Sequence, residues 1–163
     1  MLVKFDEISD HSRIWIYQIN KDLNESEELV LLDSTMGFLA SWTAHGSNLK
    51  AAAKVVNHRL LIIAVDESAS GASGCSIDSK MAFLRELQIK MNIDLFSRDQ
   101  IFYFENESLK SMELDVFKNK IANGDLSENS IIYNTTIHTK EQLSHSFKIP
   151  VKDSWIMRMI SFA

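Results

Sequence analysis

The spacing of apolar residues changes from segment to segment along the chain, and it predicts the first strand and the first helix. Residues 13–19 are mostly β-branched or aromatic at odd and even positions alike, which indicates a strand buried on both faces. Residues 24–43 are predicted to form a helix because apolar residues recur there every three or four positions. These residues are Leu29, Leu32, Met36 and Leu39. Asn24 with Glu27 predicts a capping box at the start, and Gly46 predicts the end.

The next segments complete a recognisable order of elements. Residues 51–56 and 60–65 are two apolar runs that a short turn separates, which predicts two strands. Residues 77–91 are predicted to form a second helix, and residues 101–104 a further strand. The predicted buried face of that helix carries Ile77, Met81, Leu84, Leu87 and Met91. The order β-α-β-β-α-β predicts a ferredoxin-like α+β core, an antiparallel sheet with helices on one face.

The last third of the chain is predicted to extend this core. A helix over 109–122 ends at Gly124, and a strand follows over 130–136. Thr139 with Gln142 predicts the capping box of a short helix, and a final helix begins at Asp153 or Ser154. With one proline and five glycines the chain shows no linker. We therefore predict one α+β domain over 1–163, with a core over 1–105 and an extension over 106–163.

Charge and cysteine content exclude several classes of protein. The formal net charge of −5 and the dispersed lysines and arginines argue against nucleic acid as a partner. The longest apolar run, residues 60–65, is too short for membrane insertion, and the acidic residues of the first segment do not fit a signal peptide. One cysteine allows no internal disulfide and suits a reducing compartment. The expected location is the cytoplasm.

The small-residue loop over 68–78 is the predicted working site, because it leads into the second helix. Free amides at a helix N-terminus favour anions, and small residues allow a ligand to approach the backbone. The predicted ligand-binding residues are Ser73, Gly74, Cys75, Ser76 and Asp78. The simpler interpretation is that Ser73 or Ser76 only caps the helix, that Asp78 complements the helix dipole, and that Cys75 is a small buried apolar residue.

Cys75 is also a candidate nucleophile, since the field of a helix N-terminus favours the thiolate. His45 is its candidate base and Asp66 a further catalytic candidate. The alternatives are that His45 interacts with carbonyls at the end of the first helix, and that Asp66 is a solvated acid at a strand end. Asp78 replaces the second cysteine of a redox motif, and the histidines lack metal-ligand spacing. No metal and no cofactor is predicted.

Five segments of the chain carry a resemblance to a known family. These segments are residues 12–18, 42–46, 65–67, 72–79 and 151–155. Through them nearly the whole chain resembles a family of small bacterial proteins that carry the name ABC transporter ATPase. The resemblance implies a bacterial protein of this family and brings no catalytic residue with it.

The chemistry in that family name conflicts with the residues present. A P-loop needs a glycine-rich segment that ends in Gly-Lys-Ser/Thr, and no Gly-Lys pair occurs in this chain. Residues 71–76 come closest to this motif, but they lack the lysine. They also follow the strand that ends in acidic residues, whereas the P-loop of an ATPase precedes such a strand. We therefore predict that the protein is not a P-loop ATPase.

Two functions remain from the sequence. The leading prediction is a non-enzymatic binding or protein-interaction module, with a second copy or another protein as partner, since no catalytic set is complete. The alternative is a protein or enzyme for a small molecule or phosphate-bearing ligand that uses the 73–78 loop and Cys75.

Overall fold

The computed structural model describes residues 1–161, which form two compact units. The N-terminal unit comprises Met1–Ser97 and His138–Glu141. The C-terminal unit comprises Arg98–Ile137 and the chain from Gln142 onward. Both units combine helices with antiparallel sheets, which confirms the α+β class. The division falls at residue 97, before the strand that was predicted to complete the core at residue 105.

The N-terminal unit is built on a three-stranded antiparallel sheet. After a 3₁₀ helix (Phe5–Glu7) its elements are β1 (Arg13–Gln18), α1 (Glu25–Ala40), β2 (Thr43–Ala44), β3 (Ser47–Asn48), β4 (Lys50–Val56), β5 (Leu60–Asp66) and α2 (Gly74–Met91). The sheet order is β1-β5-β4, so the strand that follows the hairpin turn lies in the centre. Trp15 of β1 and Ala53 of β4 both stand opposite Ile63 of β5.

The central strand explains where the core of this unit lies. Residues 60–65 of β5 are all completely buried, because both faces of the sheet are covered. Alternate residues of a strand point to opposite faces, and Leu61, Ile63 and Val65 point to the face that α1 and α2 cover. α1 contributes Leu31 and Leu39 to this core, and α2 contributes Leu84 and Leu87.

α1 confirms the predicted cap and, apart from Leu29, the predicted apolar positions. The Asn24 side chain accepts a hydrogen bond from the Glu27 amide, and the Glu27 carboxylate accepts one from the Asn24 amide, which completes a capping box. The buried residues are Leu31, Thr35 and Leu39, so Leu29 lies outside the core with 60% of its surface exposed. The helix also ends at Ala40, earlier than the predicted residue 43.

α2 begins three residues earlier than predicted, and its buried stripe shares Leu84 and Leu87 with the predicted one. The fully buried positions are Ser76, Lys80, Leu84 and Leu87, whereas the prediction began the stripe at Ile77 and Met81. Phe83 of α2 stacks on Phe38 of α1 with 4.5 Å between the ring centroids. The two helices therefore pack side by side on one face of the sheet.

The C-terminal unit contains a second, four-stranded antiparallel sheet. Its elements are β6 (Gln100–Glu105), β7 (Ser108–Glu113), α3 (Leu114–Ala122), β8 (Ile131–Tyr133), α4 (Gln142–His145), β9 (Lys148–Pro150), a 3₁₀ helix (Val151–Asp153) and α5 (Trp155–Ser161). The sheet order is β7-β6-β8-β9. Phe117 and Ile121 of α3 pack with Ile132 of β8 and Ile156 of α5 in its core.

This second sheet corrects two predictions. The strand predicted over 101–104 exists as β6, but it pairs with β7 and β8, so the first sheet lacks the fourth strand of a ferredoxin-like core. The helix predicted over 109–122 is a strand in its first part, β7, and a helix only from Leu114. The cause is a tight turn at Asn106 and Glu107, whose φ angles of +48° and +67° fold β7 back onto β6.

Candidate functional site

The predicted loop leads into α2 through a serine cap. The Ser73 hydroxyl accepts a hydrogen bond from the Ser76 amide at 3.3 Å, and the Ser73 carbonyl accepts one from the Ile77 amide at 2.9 Å. The Ser76 hydroxyl donates to the same carbonyl at 2.8 Å and is buried. Ser73 is therefore the N-cap that the simpler interpretation predicted, and two of the amides expected to be open to a ligand are occupied.

The other predicted ligand-binding residues lie on the exposed side of this helix end. Gly74 and Cys75 are the first two helical residues, and both are exposed, as is Asp78. Within the described chain the Cys75 thiol forms no hydrogen bond to a histidine or a carboxylate. The interpretation of Cys75 as a buried apolar residue is therefore wrong, and its thiol has no activating base in this structure.

His45 is placed away from a helix end. It forms the two-residue turn between β2 and β3 together with Gly46, and their φ angles are +51° and +80°. This is the left-handed backbone that a tight hairpin requires. Gly46 therefore serves the hairpin and not the end of α1, and the predicted contact of His45 with the last carbonyls of α1 is wrong. His45 is exposed.

The two acids after β5 hold the loop in place. Asp66 accepts a hydrogen bond from the Ser68 amide at 3.1 Å and one from Lys50 Nζ at 3.1 Å. The Ser68 hydrogen bonds, followed by Lys50, hold the pKa of Asp66 below its ordinary value, which makes its carboxylate a weaker base. Glu67 Oε1 accepts a hydrogen bond from the Ala72 amide at 2.9 Å and lies 3.9 Å from Arg13 Nη1.

Lys80 is the group that the sequence did not single out. It lies two turns into α2, its side chain is completely buried, and within the described chain Nζ has no hydrogen-bond partner. Nζ lies 3.3 Å from the centroid of the Trp15 ring and 5.7 Å from that of Tyr17. A buried ammonium without a carboxylate is unusual, because removing a charge from water is costly unless the charge is paired.

Burial, and to a smaller extent the nearby Arg13 guanidinium, lower the pKa of Lys80 to about 7. The amine is therefore largely neutral slightly above neutral pH, which gives the nitrogen a free lone pair. Lysines with such properties occur at sites of amine chemistry and ligand binding.

Arg13 brings a second positive charge to the same ring. Its Cζ atom lies 4.7 Å from the Trp15 centroid. Side chains alternate along a strand, so Arg13, Trp15 and Tyr17 share the face of β1 that α2 covers. We call Arg13, Trp15, Tyr17 and Lys80 the Lys80 cluster.

A set of aromatic contacts fixes the floor of the cluster. Trp15 meets Trp42 edge to face, with 6.2 Å between the ring centroids. The indole N–H of Trp42 donates to the Ser76 carbonyl at 2.8 Å, which ties this ring to the first turn of α2. The Tyr17 hydroxyl reaches the sulfur of Met81 at 3.9 Å. These contacts hold both rings that face Lys80.

The cluster and the predicted loop are linked through Arg13. Glu67, the residue before the predicted loop, pairs with Arg13. The Ala72 amide, within the loop, donates a hydrogen bond to the same Glu67 carboxylate. The loop that the sequence predicted as a site therefore connects to Lys80, although its own predicted ligand-binding residues do not form the cluster. A spacing signal existed, because Ser76, Lys80 and Leu84 recur every four residues on the stripe that reaches Leu87.

No family model matches the chain, and the comparisons with curated proteins and with solved structures give no significant match. Among the described residues, no group of three or more histidine, cysteine or acidic side chains is arranged to hold a metal ion. No helix within residues 1–161 is both long and apolar enough to cross a membrane.

Proposed function

We propose that the protein is a non-enzymatic binding module for a small ligand that brings negative charge to the Lys80 cluster. The observation that carries the proposal is the complete burial of Lys80 with no hydrogen-bond partner in the described chain. A ligand oxygen at Nζ would satisfy its donors and would offset the cost of burying the charge. The cytoplasm is the location we propose for it.

The charge balance of the cluster favours an anion. Arg13 and Lys80 both approach the Trp15 ring, and within residues 1–161 Glu67 is the acid that pairs with Arg13. The Glu67 carboxylate is shared between Arg13 and the Ala72 amide, so it neutralises the two cations incompletely. An anionic group is attracted to such a site, and a cation is repelled from it.

The loop over 67–72 is the entry that we propose for the ligand. Its residues after Glu67 are serine, alanine and glycine, which bury little apolar surface. Its ties to the rest of the unit include the 3.1 Å hydrogen bond from the Ser68 amide to Asp66, the packing of Ala72 against the core and the loose 3.9 Å ion pair to Arg13. Breaking that ion pair would free Arg13 and uncover Trp15 at low cost.

The proposal excludes nucleotide hydrolysis by a P-loop, because the chain has no Gly-Lys-Ser/Thr motif. A nucleotide would then bind only through its charge. We expect no release of phosphate from ATP by the purified protein, and turnover that survives further purification would contradict this part of the proposal.

A thermal-unfolding screen with phosphate, citrate and ATP tests the proposed function. A ligand that binds only the folded state stabilises it by RT ln(1 + [L]/Kd), about 2.7 kcal/mol at a hundredfold excess over Kd. We expect at least one anion to raise the unfolding temperature of the wild type and to have no such effect on Lys80→Met. Lys54→Met is the matched control, because Lys54 lies on β4 against Phe5 and outside the cluster. A screen without response, or an equal response in Lys80→Met, would overturn the proposal.

One observation favours a protein partner as a second candidate function. Leu29 and Val30 of α1 are 60% and 51% exposed, although both are apolar. Neighbouring exposed apolar residues on a helix are a common feature of interfaces. The partner that we propose is a second copy of the chain. Sedimentation velocity would then show a dimer that Val30→Asp dissociates, and a monomer at all concentrations would contradict this candidate.

A further inference from the structure

We propose that carbon dioxide is a ligand of this protein and that it forms a carbamate on Lys80 Nζ. The inference rests on the proposed function and names the ligand class for the same site. It depends on two features of the cluster, namely a buried amine that has no acceptor within the described chain and a neighbouring guanidinium.

The first feature decides the chemistry. A carbamate forms only from a neutral amine, and Lys80 lies against aromatic rings with no carboxylate to hold its proton. In water most lysines stay protonated near neutral pH, whereas burial favours the neutral form. Lys80 therefore has the lone pair that the reaction requires, which an exposed lysine of this chain lacks.

The step balances without a further reactant. The Nζ lone pair attacks the carbon of CO2 and forms an N–C bond, while one C–O π pair moves onto oxygen. The nitrogen then loses one proton to water, which leaves an N-carboxylate with a single negative charge. No group is oxidised or reduced.

The second feature stabilises the product. In the unmodified protein, protonated Lys80 and Arg13 place two positive charges against the Trp15 ring. Lys80 Nζ lies 3.3 Å from the ring centroid, and Arg13 Cζ lies 4.7 Å from it. Carbamate formation turns Lys80 into an anion, so repulsion from Arg13 becomes attraction. The guanidinium is suited to bind both oxygens of a carboxylate, and its ion pair to Glu67 is only a loose one.

The size of the ligand fits the burial of the site. The Lys80 side chain is completely enclosed, so a large anion requires the loop to move. CO2 has three atoms and no charge, and it enters a closed protein through small fluctuations. Among ligands that place negative charge at this site, CO2 therefore needs the least rearrangement.

The experiment is carbon-13 NMR of the full-length protein equilibrated with ¹³C-bicarbonate at pH 8. We expect a carbamate resonance that is lost in Lys80→Met and in Lys80→Arg, and that remains in Lys54→Met. The α-amino group of Met1 also reacts with CO2, so only the resonance that depends on Lys80 counts. Lys80→Arg keeps the positive charge and lacks a reactive amine, which separates the reaction from simple binding of bicarbonate.

A second measurement avoids any dependence on the folding of variants. Alkylation with triethyloxonium traps carbamates as esters, and peptide mass analysis of the wild type then identifies the modified residue. An ethoxycarbonyl group on the peptide that contains Lys80 supports the inference. Its absence overturns the inference, while a Lys80-dependent rise in unfolding temperature with phosphate or citrate leaves the proposed function in place.

Discussion

Lys80 Nζ lies 3.3 Å from the centroid of the Trp15 ring, and no carboxylate of the described chain forms an ion pair with it. A ring face attracts a cation, but the attraction is worth only about 2 kcal/mol even in a dry site. That is less than the cost of burying an ammonium, so the cluster destabilises the protonated form of Lys80.

This relationship predicts a specific dependence of stability on pH. The pKa of Lys80 is about 7 in the folded protein and near its ordinary 10.5 in the unfolded chain. Between these values the unfolded state binds the proton and the folded state does not, so the free energy of unfolding rises with pH from about 7 to about 10.5. Below pH 7 both states are protonated, and the penalty is constant at up to about 5 kcal/mol.

Lys80→Met removes the charge and keeps a long, flexible side chain. We expect the variant to be more stable than the wild type at pH 7, by several kcal/mol at most, with the difference shrinking toward pH 10. Urea unfolding of both proteins across this range measures the effect, and subtraction removes contributions of other groups. A variant that is less stable than the wild type at every pH would contradict the burial of an unpaired amine.

The face that α1 buries gives a second prediction with a matched pair. Leu31 is completely buried and Leu29 is 60% exposed. Leu31→Ala is therefore expected to cost about 2–5 kcal/mol of unfolding free energy, and Leu29→Ala less than about 0.5 kcal/mol. Chemical denaturation of the two variants measures the difference. Equal losses, or a larger loss for Leu29→Ala, would show that the helix is rotated from the described position.

Those two leucines also show why the spacing predicted the helix correctly but included one exposed position. Residues 29–32 are all apolar, so a spacing of three or four residues fits more than one stripe. The cap, in contrast, depends on two local hydrogen bonds of Asn24 and Glu27, and the sequence predicted it correctly. Local signals were sufficient where the interaction is local.

The second sheet was missed for a related reason. Residues 109–122 have helical spacing, but the first part pairs with β6 because of the left-handed turn at Asn106 and Glu107. Asparagine tolerates that conformation, whereas glutamate gives no such signal. The pairing of β6 with β8 also joins segments that are distant in the sequence, and the spacing of apolar residues does not encode such pairing.

Lys80 was missed because lysine is among the residues least often buried. The loop predicted over 68–78 does lead into a helix, but residues 74–78 already belong to that helix. Ser73 serves as its cap, and the unusual group lies two turns further along. The sequence therefore predicted the neighbourhood of the cluster and not its central residue.

The exposure of Cys75 yields a third prediction. Its thiol is at the surface and makes no contact with a base in the described chain. We expect iodoacetamide to modify Cys75 in the folded protein, and Cys75→Ala to change the unfolding free energy by less than about 0.5 kcal/mol and anion binding not at all. Mass spectrometry and the thermal screen measure these effects. Modification only after denaturation would contradict the exposure of Cys75, whereas loss of anion binding in Cys75→Ala would return Cys75 to the site.

The titration of Lys80 itself shows whether its amine is buried without an anionic partner. Protein labelled with ¹³C-lysine gives side-chain resonances whose shifts follow protonation, and the resonance missing from Lys80→Met belongs to Lys80. We expect a midpoint near pH 7, because burial without an anionic partner disfavours the charged form. A midpoint above pH 10 would contradict this, because it would mean that Lys80 is hydrated or paired with an acid.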